Sequence, residues 1–407
     1  MYSNKYTNSG SGAQNVATGS GAQNNNTGSG TQQNNFGPLS GIVQATSVGE
    51  PSSRRDRPSR REDFHIGIIC ALTIEFNAVS LVFDTAWDED GDSYGRASGD
   101  TNTYTTGRIG KHDVVLTLLP NMGTASAAGA AASFRSSFPA LRLVLLVGVC
   151  GGVPESGGNE ALLGDVVISK HVQHSLSKQY PDKLELKDTI DDNLGRLNKD
   201  LRSLVASFGT DIGQDRLYKN TGVYLRELQS KAAKTRSRAN YGYPGVDEDK
   251  LFQPHYRHEH HAPGSCGICN GQSGGICEQA KQASCAELNC DEIQLICERK
   301  RLETKRRMLE ADRQLPKIHI GRIRSGDIVM KSGEHRDQIA RKHEVIAFEM
   351  EGAGTWDEVP CLVVKGICDY ADSHKNKKWQ LFAAATAASV SKAILGRYAR
   401  TDGPNVN

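Results

Sequence analysis

Residues 141–154 read LRLVLLVGVCGGVP. A short, β-branched apolar run of this kind, closed by glycines, predicts a buried strand that ends in a glycine turn. Working outward, the same grammar recurs. FHIGIICAL (from Phe64), LLGDVVISKHV (from Leu162), VIAFEM (from Val345) and CLVVKGICDYAD (from Cys361) predict further core strands. DTNTYTTGRIG and HDVVLTLLPN predict a hairpin, and GRIRSGDIVMKSGEHRDQIARKH a strand, turn and helix. GTASAAGAAASFRSSF predicts a helix with one very small face, so something packs close to its backbone. WQLFAAATAASVSKAIL predicts a closing amphipathic helix. Strands alternating with helices predict an α/β fold, a three-layer sandwich with a mixed central sheet flanked by helices.

The bulk numbers bound the rest. The chain has 407 residues, a formal net charge of +2 and a hydrophobic fraction of 37%. That balance excludes a polycation built for nucleic acid. No apolar run of about eighteen residues is present, so no membrane span is expected. The polar N-terminus lacks an apolar secretory core, which predicts a cytoplasmic protein. Of ten cysteines, Cys70, Cys150, Cys361 and Cys368 lie in apolar segments and read as reduced core thiols.

Three regions depart from the strand–helix rhythm. SGSGAQNVA, TGSGAQNNN and TGSGTQQNN repeat with a nine-residue period from Ser9 to Asn35. Such text buries too little surface to order a lone chain, yet Asn/Gln ladders can stack between chains. RRDRPSRRED (Arg54–Asp63) is a basic linker: an acidic-surface contact, a nuclear import signal, or a solvated run. The expected domains are a disordered arm and linker over 1–61, one folded domain over 62–400 with an insertion at about 213–316, and a tail at 401–407. Within the insertion, HYRHEHH (His255–His261) precedes Cys266, Cys269, Cys277, Cys285, Cys290 and Cys297. Cys-x-x-Cys beside a His cluster has zinc-ligand chemistry. Structural zinc, free thiols and redox use stay open, and no metal or other cofactor is expected at the reaction centre.

The landmarks IGIICALTIEFNAV, NMGTASAAGAAASF, LLVGVCGGVP, LLGDVVIS, SGDIVMKSG, FEMEGAG and VVKGICDYAD stand in the order seen in the nucleoside phosphorylase and methylthioadenosine/S-adenosylhomocysteine nucleosidase superfamily. The chain resembles that family over Phe64 to about Ile212 and Lys317 to about Leu395. CDYADSHKNKKWQ and the long insertion resemble its fungal branch, whose members sit beside NACHT-type or ankyrin modules. The N-terminal repeats resemble amyloid-type signalling motifs of fungal immune receptors.

The resemblance implies cleavage of a ribose–purine bond through an oxocarbenium-like transition state. A proton must reach the leaving base, the sugar must be held, and a nucleophile must approach the opposite face. It assigns the first task to Asp369, with a helix cap as the alternative. It assigns the ribose hydroxyls to Glu351, with Met350 on the ribose face. Glu349 reads either as a pocket residue or as one turned elsewhere. Water activation falls to Glu75. Lys365, inside an apolar strand, needs a carboxylate partner, and Glu75 is the candidate. Val329 and Met330 match positions that meet the base, although many relatives carry an aromatic near Val329. Val149 and Gly151 belong to the glycine turn, where many relatives place a Ser at the position of Val149. Leu146 stands where hexameric phosphorylases carry an arginine, which favours water over phosphate. HKNKKWQ (His374–Gln380) could meet a 5′-phosphate chain, or could be a basic helix start over a packed Trp379.

The leading expectation is a purine nucleosidase hydrolysing an adenine nucleoside or nucleotide, ATP included. A purine nucleoside phosphorylase is one alternative. A non-catalytic nucleotide-sensing module recruited through the repeat arm is another. Expected partners are the small purine ligand, a second copy in a homodimer, and an NLR-type protein through the repeats, with no membrane and no nucleic acid.

Overall fold

The computed structural model describes residues 57–399 apart from 90, 92, 175–176, 180–183, 187–196, 237–238, 263, 265, 270–276 and 376, together with two short strands of the N-terminal arm. Residues 1–55 and 56–407 form separate units. In the first, Val16–Thr18 pairs antiparallel with Ala22–Asn24. The rest of the repeats, the linker before Arg57 and the tail 401–407 lie outside the described residues, and so do the expectations placed on them. At the linker's end, Arg57 Nε donates to the Tyr94 hydroxyl at 2.9 Å and the guanidinium lies over that ring.

The second unit is built on a nine-stranded mixed sheet. Its strands are β1 (Ile66–Cys70), β2 (Thr85–Ala86), β3 (Tyr104–Ile109), β4 (His112–Leu118), β5 (Leu143–Gly152), β6 (Val166–His174), β7 (Ile318–Ser325), β8 (Val345–Glu349) and β9 (Cys361–Asp369). Their order is β8-β7-β6-β9-β5-β1-β4-β3-β2. The hairpin is β3–β4, antiparallel from Tyr104↔Thr117 to Ile109↔His112. β9, β5, β1 and β4 run parallel, whereas β6 meets β9 antiparallel. The end of β5 bends back, so that Gly151 and Gly152 pair with Phe348 and Ala347 of β8. That extra pairing closes β5, β9, β6, β7 and β8 on themselves. It also gathers the ends of β5, β8 and β9 in one place.

Helices cover both faces. The principal ones are α1 (Thr73–Leu81), α2 (Thr124–Ser137), α3 (Lys199–Phe208), α4 (Asp211–Lys234), α5 (Gly333–His343), α6 (Gly352–Trp356) and α7 (Gln380–Arg397). Successive residues of β9 face opposite layers. Gly366 faces α7 so closely that a methyl there would lie 2.0 Å from Ala383 O. Val363, of the other parity, meets α6, where a methyl on Gly352 would lie 3.3 Å from its side chain. No described helix is long and apolar enough to cross a membrane.

α7 departs from the amphipathic expectation: every residue from Phe382 to Leu395 is buried. It lies between β5 and β9 on one side and α1 and α4 on the other. Its small side chains permit that approach. The hydroxyls of Thr386, Ser389 and Ser391 are satisfied by carbonyls of the preceding turn, those of Ala383, Ala385 and Ala387. The outer cover, α4, begins where the insertion was expected to begin. Its Leu217, Leu225, Leu228 and Ala232 belong to the main core, so this helix is a layer of the fold.

Beyond α4, two arginines pin the inserted chain to the sheet. Arg301 Nη2 donates to Asp165 Oδ1 at 2.7 Å, and His319 and the amides of Leu162 and Lys317 fill the remaining acceptor positions. Burial alone would raise the Asp165 carboxyl, but Arg301 and His319 hold it far below the usual carboxylate range. Arg299 donates to Asp249 at 2.7 Å and to the Tyr370 hydroxyl just beyond β9.

The small face of α2 has its explanation in α6. A methyl on Gly354 would lie 2.0 Å from Thr124 O and 2.8 Å from Ala128 N. Backbone cannot retreat as a side-chain tip can. Gly354→Ala is expected to cost about 1–3 kcal/mol and to lower Tm by several degrees in a thermal melt; an unchanged Tm would refute the close crossing.

Candidate active site

Glycines in β5 make room for carboxylates. β9 and β5 run in parallel register, with Lys365 beside Gly148 and Asp369 beside Gly151. A methyl on Gly148 would lie 2.1 Å from Glu75 Oε1, and one on Gly151 would lie 3.0 Å from Asp369 Oδ1. Any larger residue at either place would push an acid out of position. The turn that decided the fold therefore also shapes the site.

One cavity of about 230 Å³ opens at these strand ends. Glu75, Glu351 and Asp369 all line it, as do Glu349, Met350, Val149, Gly151, Val329 and Met330. Lys365 is fully buried behind it. Two roomier hollows, about 410 and 1000 Å³, contain none of the three acids.

Glu75 follows β1 on the first turn of α1. Its Oε2 accepts from the amides of Ala71 and Leu72, both at 2.9 Å, and its Oε1 from Val149 N–H at 2.7 Å. Val149 thus contributes through its backbone. Burial lifts the Glu75 carboxyl above the ordinary range, Lys365 pulls it part of the way back, and Glu351 adds to the lift.

The expected Lys365–Glu75 contact is corrected. Lys365 Nζ donates to Glu351 Oε2 at 3.0 Å and stands 4.0 Å from Glu349 Oε2; Glu75 acts on it only through space. Burial opposes the ammonium, yet Glu351, Glu75 and Glu349 together hold its pKa above the usual lysine range. Glu349 turns its oxygens to the amides of Glu351 and Gly352, at 2.9–3.0 Å, at the start of α6. Burial raises its carboxyl as well, against the pull of Lys365. Its main contacts are therefore structural.

Asp369 ends β9 at the cavity. Its Oδ1 accepts from Ala371 N–H at 2.9 Å and its Oδ2 from Lys375 Nζ at 3.1 Å. Lys375 and Phe348 also line the cavity and were not singled out in the sequence, and Cys150, read there as a core thiol, lines it too. Lys375 had been grouped with a basic run. Within that run Lys378 binds Glu248 at 2.9 Å, and buried Trp379 donates to Glu248 O, while Lys375 reaches the cavity. Phe348 is an aromatic residue of the cavity lining. The alternating burial of β8 leaves Ile346 and Phe348 partly open, which the continuous apolar run VIAF did not announce. Ile328, Val329 and Met122 form an exposed apolar rim.

Comparisons with known proteins bear on this arrangement. A nucleotide-binding leucine-rich repeat (NLR)-like protein of Hyaloscypha variabilis is 32% identical over 347 residues. That alignment takes in 83% of this chain and 30% of the relative, so the chain spans less than a third of that protein's length. Among solved structures, futalosine hydrolase of Helicobacter pylori aligns at 14% identity and TM-score 0.45, over 82% of this chain and 98% of its own. The methylthioadenosine/S-adenosylhomocysteine nucleosidase of Neisseria meningitidis, in complex with methylthio-immucillin-A, aligns at 17% identity and TM-score 0.43, over 82% and 99%. Residues 65–225 match the family model of the phosphorylase superfamily. Over that span the chain is similar to the phosphorylase superfamily.

Proposed function

We propose that the cavity hydrolyses the N-glycosidic bond of a purine nucleoside or nucleotide, with adenine as the leaving base. The observation that carries this reading is the meeting of Glu75, Glu351 and Asp369, distant in sequence, on one small cavity. In the reaction, Asp369 serves the leaving base, and Lys375 stands close enough to return a proton to it. Glu351, oriented by Lys365, grips the ribose hydroxyls. Glu75 takes a proton from water as that water attacks the anomeric carbon. The C–N bond breaks as the water oxygen bonds to the anomeric carbon and Asp369 gives its proton to the departing base; the products are free base and ribose, or the 5′-phosphorylated ribose where the substrate is a nucleotide. A carboxyl lifted by burial is a better base near neutral pH than an ordinary glutamate.

Water is favoured over phosphate by charge. Among its described residues the cavity carries four carboxylates (Glu75, Glu349, Glu351, Asp369) and one ammonium, Lys375, already paired with Asp369. Leu146, where an arginine would hold phosphate, is fully buried in the core. The similarity to an NLR-like protein supports a role as the enzymatic domain of such a receptor system.

The test is a substrate panel. Adenosine, methylthioadenosine, AMP and ATP are each incubated with and without phosphate, and free adenine is followed by chromatography. Adenine release independent of phosphate is expected. Release only with phosphate would make the protein a phosphorylase, and binding without release would make it a sensor.

A further inference from the structure

The inserted segment collects its cysteines and histidines into two groups. In the first, His260, Cys266, Cys269 and Cys277 bring one ligand atom each within 4.8 Å of one another. In the second, His258, Cys290 and His374 do the same; Cys285 stands outside that set of three, with its Sγ 3.6 Å from His258 Nδ1.

In the first group, and around His258 in the second, the spacings are those of a tetrahedral metal site. Zn–S bonds of about 2.3 Å and Zn–N bonds of about 2.0–2.1 Å put two sulfurs about 3.8 Å apart, and a sulfur and a nitrogen about 3.6 Å apart. Cys266 and Cys277 are separated by 3.8 Å. His260 Nδ1 stands 3.4 Å from Cys269 and 3.9 Å from Cys277. His258 Nδ1 stands 3.6 Å from Cys285 and 3.8 Å from Cys290. All these cysteines are free thiols.

His374 gives an independent reason to expect a ligand. Its side chain is 2% exposed, and neither ring nitrogen has a hydrogen-bond partner. The nearest carboxylate oxygen, Asp372 Oδ1, is 4.0 Å away. An imidazole sealed from water with both nitrogens unmet is costly unless something else binds it. Its orientation is fixed, because Phe252 stacks on the ring at 4.0 Å with 19° between planes. His258 is braced too: its Nε2 is within 2.9 Å of Ala283 O, leaving Nδ1 for a metal.

We propose that the insertion binds two structural zinc ions, one at His260, Cys266, Cys269 and Cys277, the other at His258, Cys285, Cys290 and His374. Thiolate and imidazole ligands in closed sets of four suit Zn²⁺ and exclude magnesium and calcium. The second ion has a consequence for the cavity. His374 precedes Lys375, which holds Asp369, while its three partners belong to the insertion. The ion therefore clips the insertion to the loop after β9, a junction that His258 N–H already marks by donating to Ser373 Oγ at 3.0 Å.

The test is zinc content, which does not depend on any catalytic reading. The full chain, purified with reductant and zinc chloride and then desalted, is expected to carry about two zinc atoms by elemental analysis. Cys269→Ser and His374→Ala are each expected to lose one. Fewer than two zinc atoms on the unaltered chain would overturn the proposal, as would a His374→Ala protein that keeps both. Hydrogen exchange supplies a second readout on the unaltered chain: chelation is expected to deprotect the loop 369–380, and unchanged protection there would overturn the clip.

Discussion

Asp369→Asn is expected to slow base release by about two to four orders of magnitude, the range for a lost general acid, with Tm nearly unchanged. The asparagine side chain is the same size and keeps the oxygen that accepts from Ala371 N–H at 2.9 Å. What it loses is the ionisable oxygen paired with Lys375. That pair is partly open, with Lys375 33% exposed, so its contribution to stability is about 1 kcal/mol or less. Rate and stability should therefore separate, which a merely structural aspartate would not allow. A riboside whose leaving group needs no proton provides the sharper comparison. If Asp369 serves the base, the variant's deficit shrinks by at least about tenfold on that substrate. An equal deficit on both substrates, or less than about a tenfold loss on adenosine, would remove Asp369 from the chemistry.

The legible parts of this molecule are those whose physics is local. A continuous apolar run such as LRLVLLV can only be buried, so the central strands could be placed from composition. The small face of α2 announced a close neighbour without naming it, and Gly354 is that neighbour. Where the outcome depended on what lay across the chain, the sequence misled. α7 reads as an amphipathic helix, because nothing in its own residues shows that α4 covers its outer side. The partner of Lys365 is a related case. That a buried ammonium needs a carboxylate follows from solvation, but the choice among Glu75, Glu349 and Glu351 depends on the register of β5, β8 and β9. The cysteine–histidine segment was ambiguous for the same reason. One of the seven grouped side chains, His374, lies far along the chain in a run that looked like a basic helix start.

Lys365→Met is the second large effect, and it tests the electrostatics of the cavity floor. Methionine has a similar length and no charge, so it fills the space. It leaves Glu75, Glu349 and Glu351, all buried, without their shared cation. Removing one partner of a buried ion pair costs about 3–5 kcal/mol. The cost should depend on pH, and the sign follows from the direction of the shifts. Burial already raises Glu75 and Glu349 above the usual glutamate range, against the pull of Lys365. Removing that pull raises them further. A carboxyl whose folded pKa exceeds its unfolded value has its full stability below the unfolded value and loses it as pH rises toward the folded one. Each proton held only by the folded state costs about 1.4 kcal/mol per pH unit. The variant should therefore approach the unaltered protein at about pH 5 and fall well behind it at about pH 8. Urea denaturation at the two pH values reads this directly. The same rise moves the acid limb of kcat/KM upward, since Glu75 must lose its proton to act as a base. A deficit below about 1 kcal/mol, or one equal at both pH values, would mean that Lys365 does not hold the three carboxylates together.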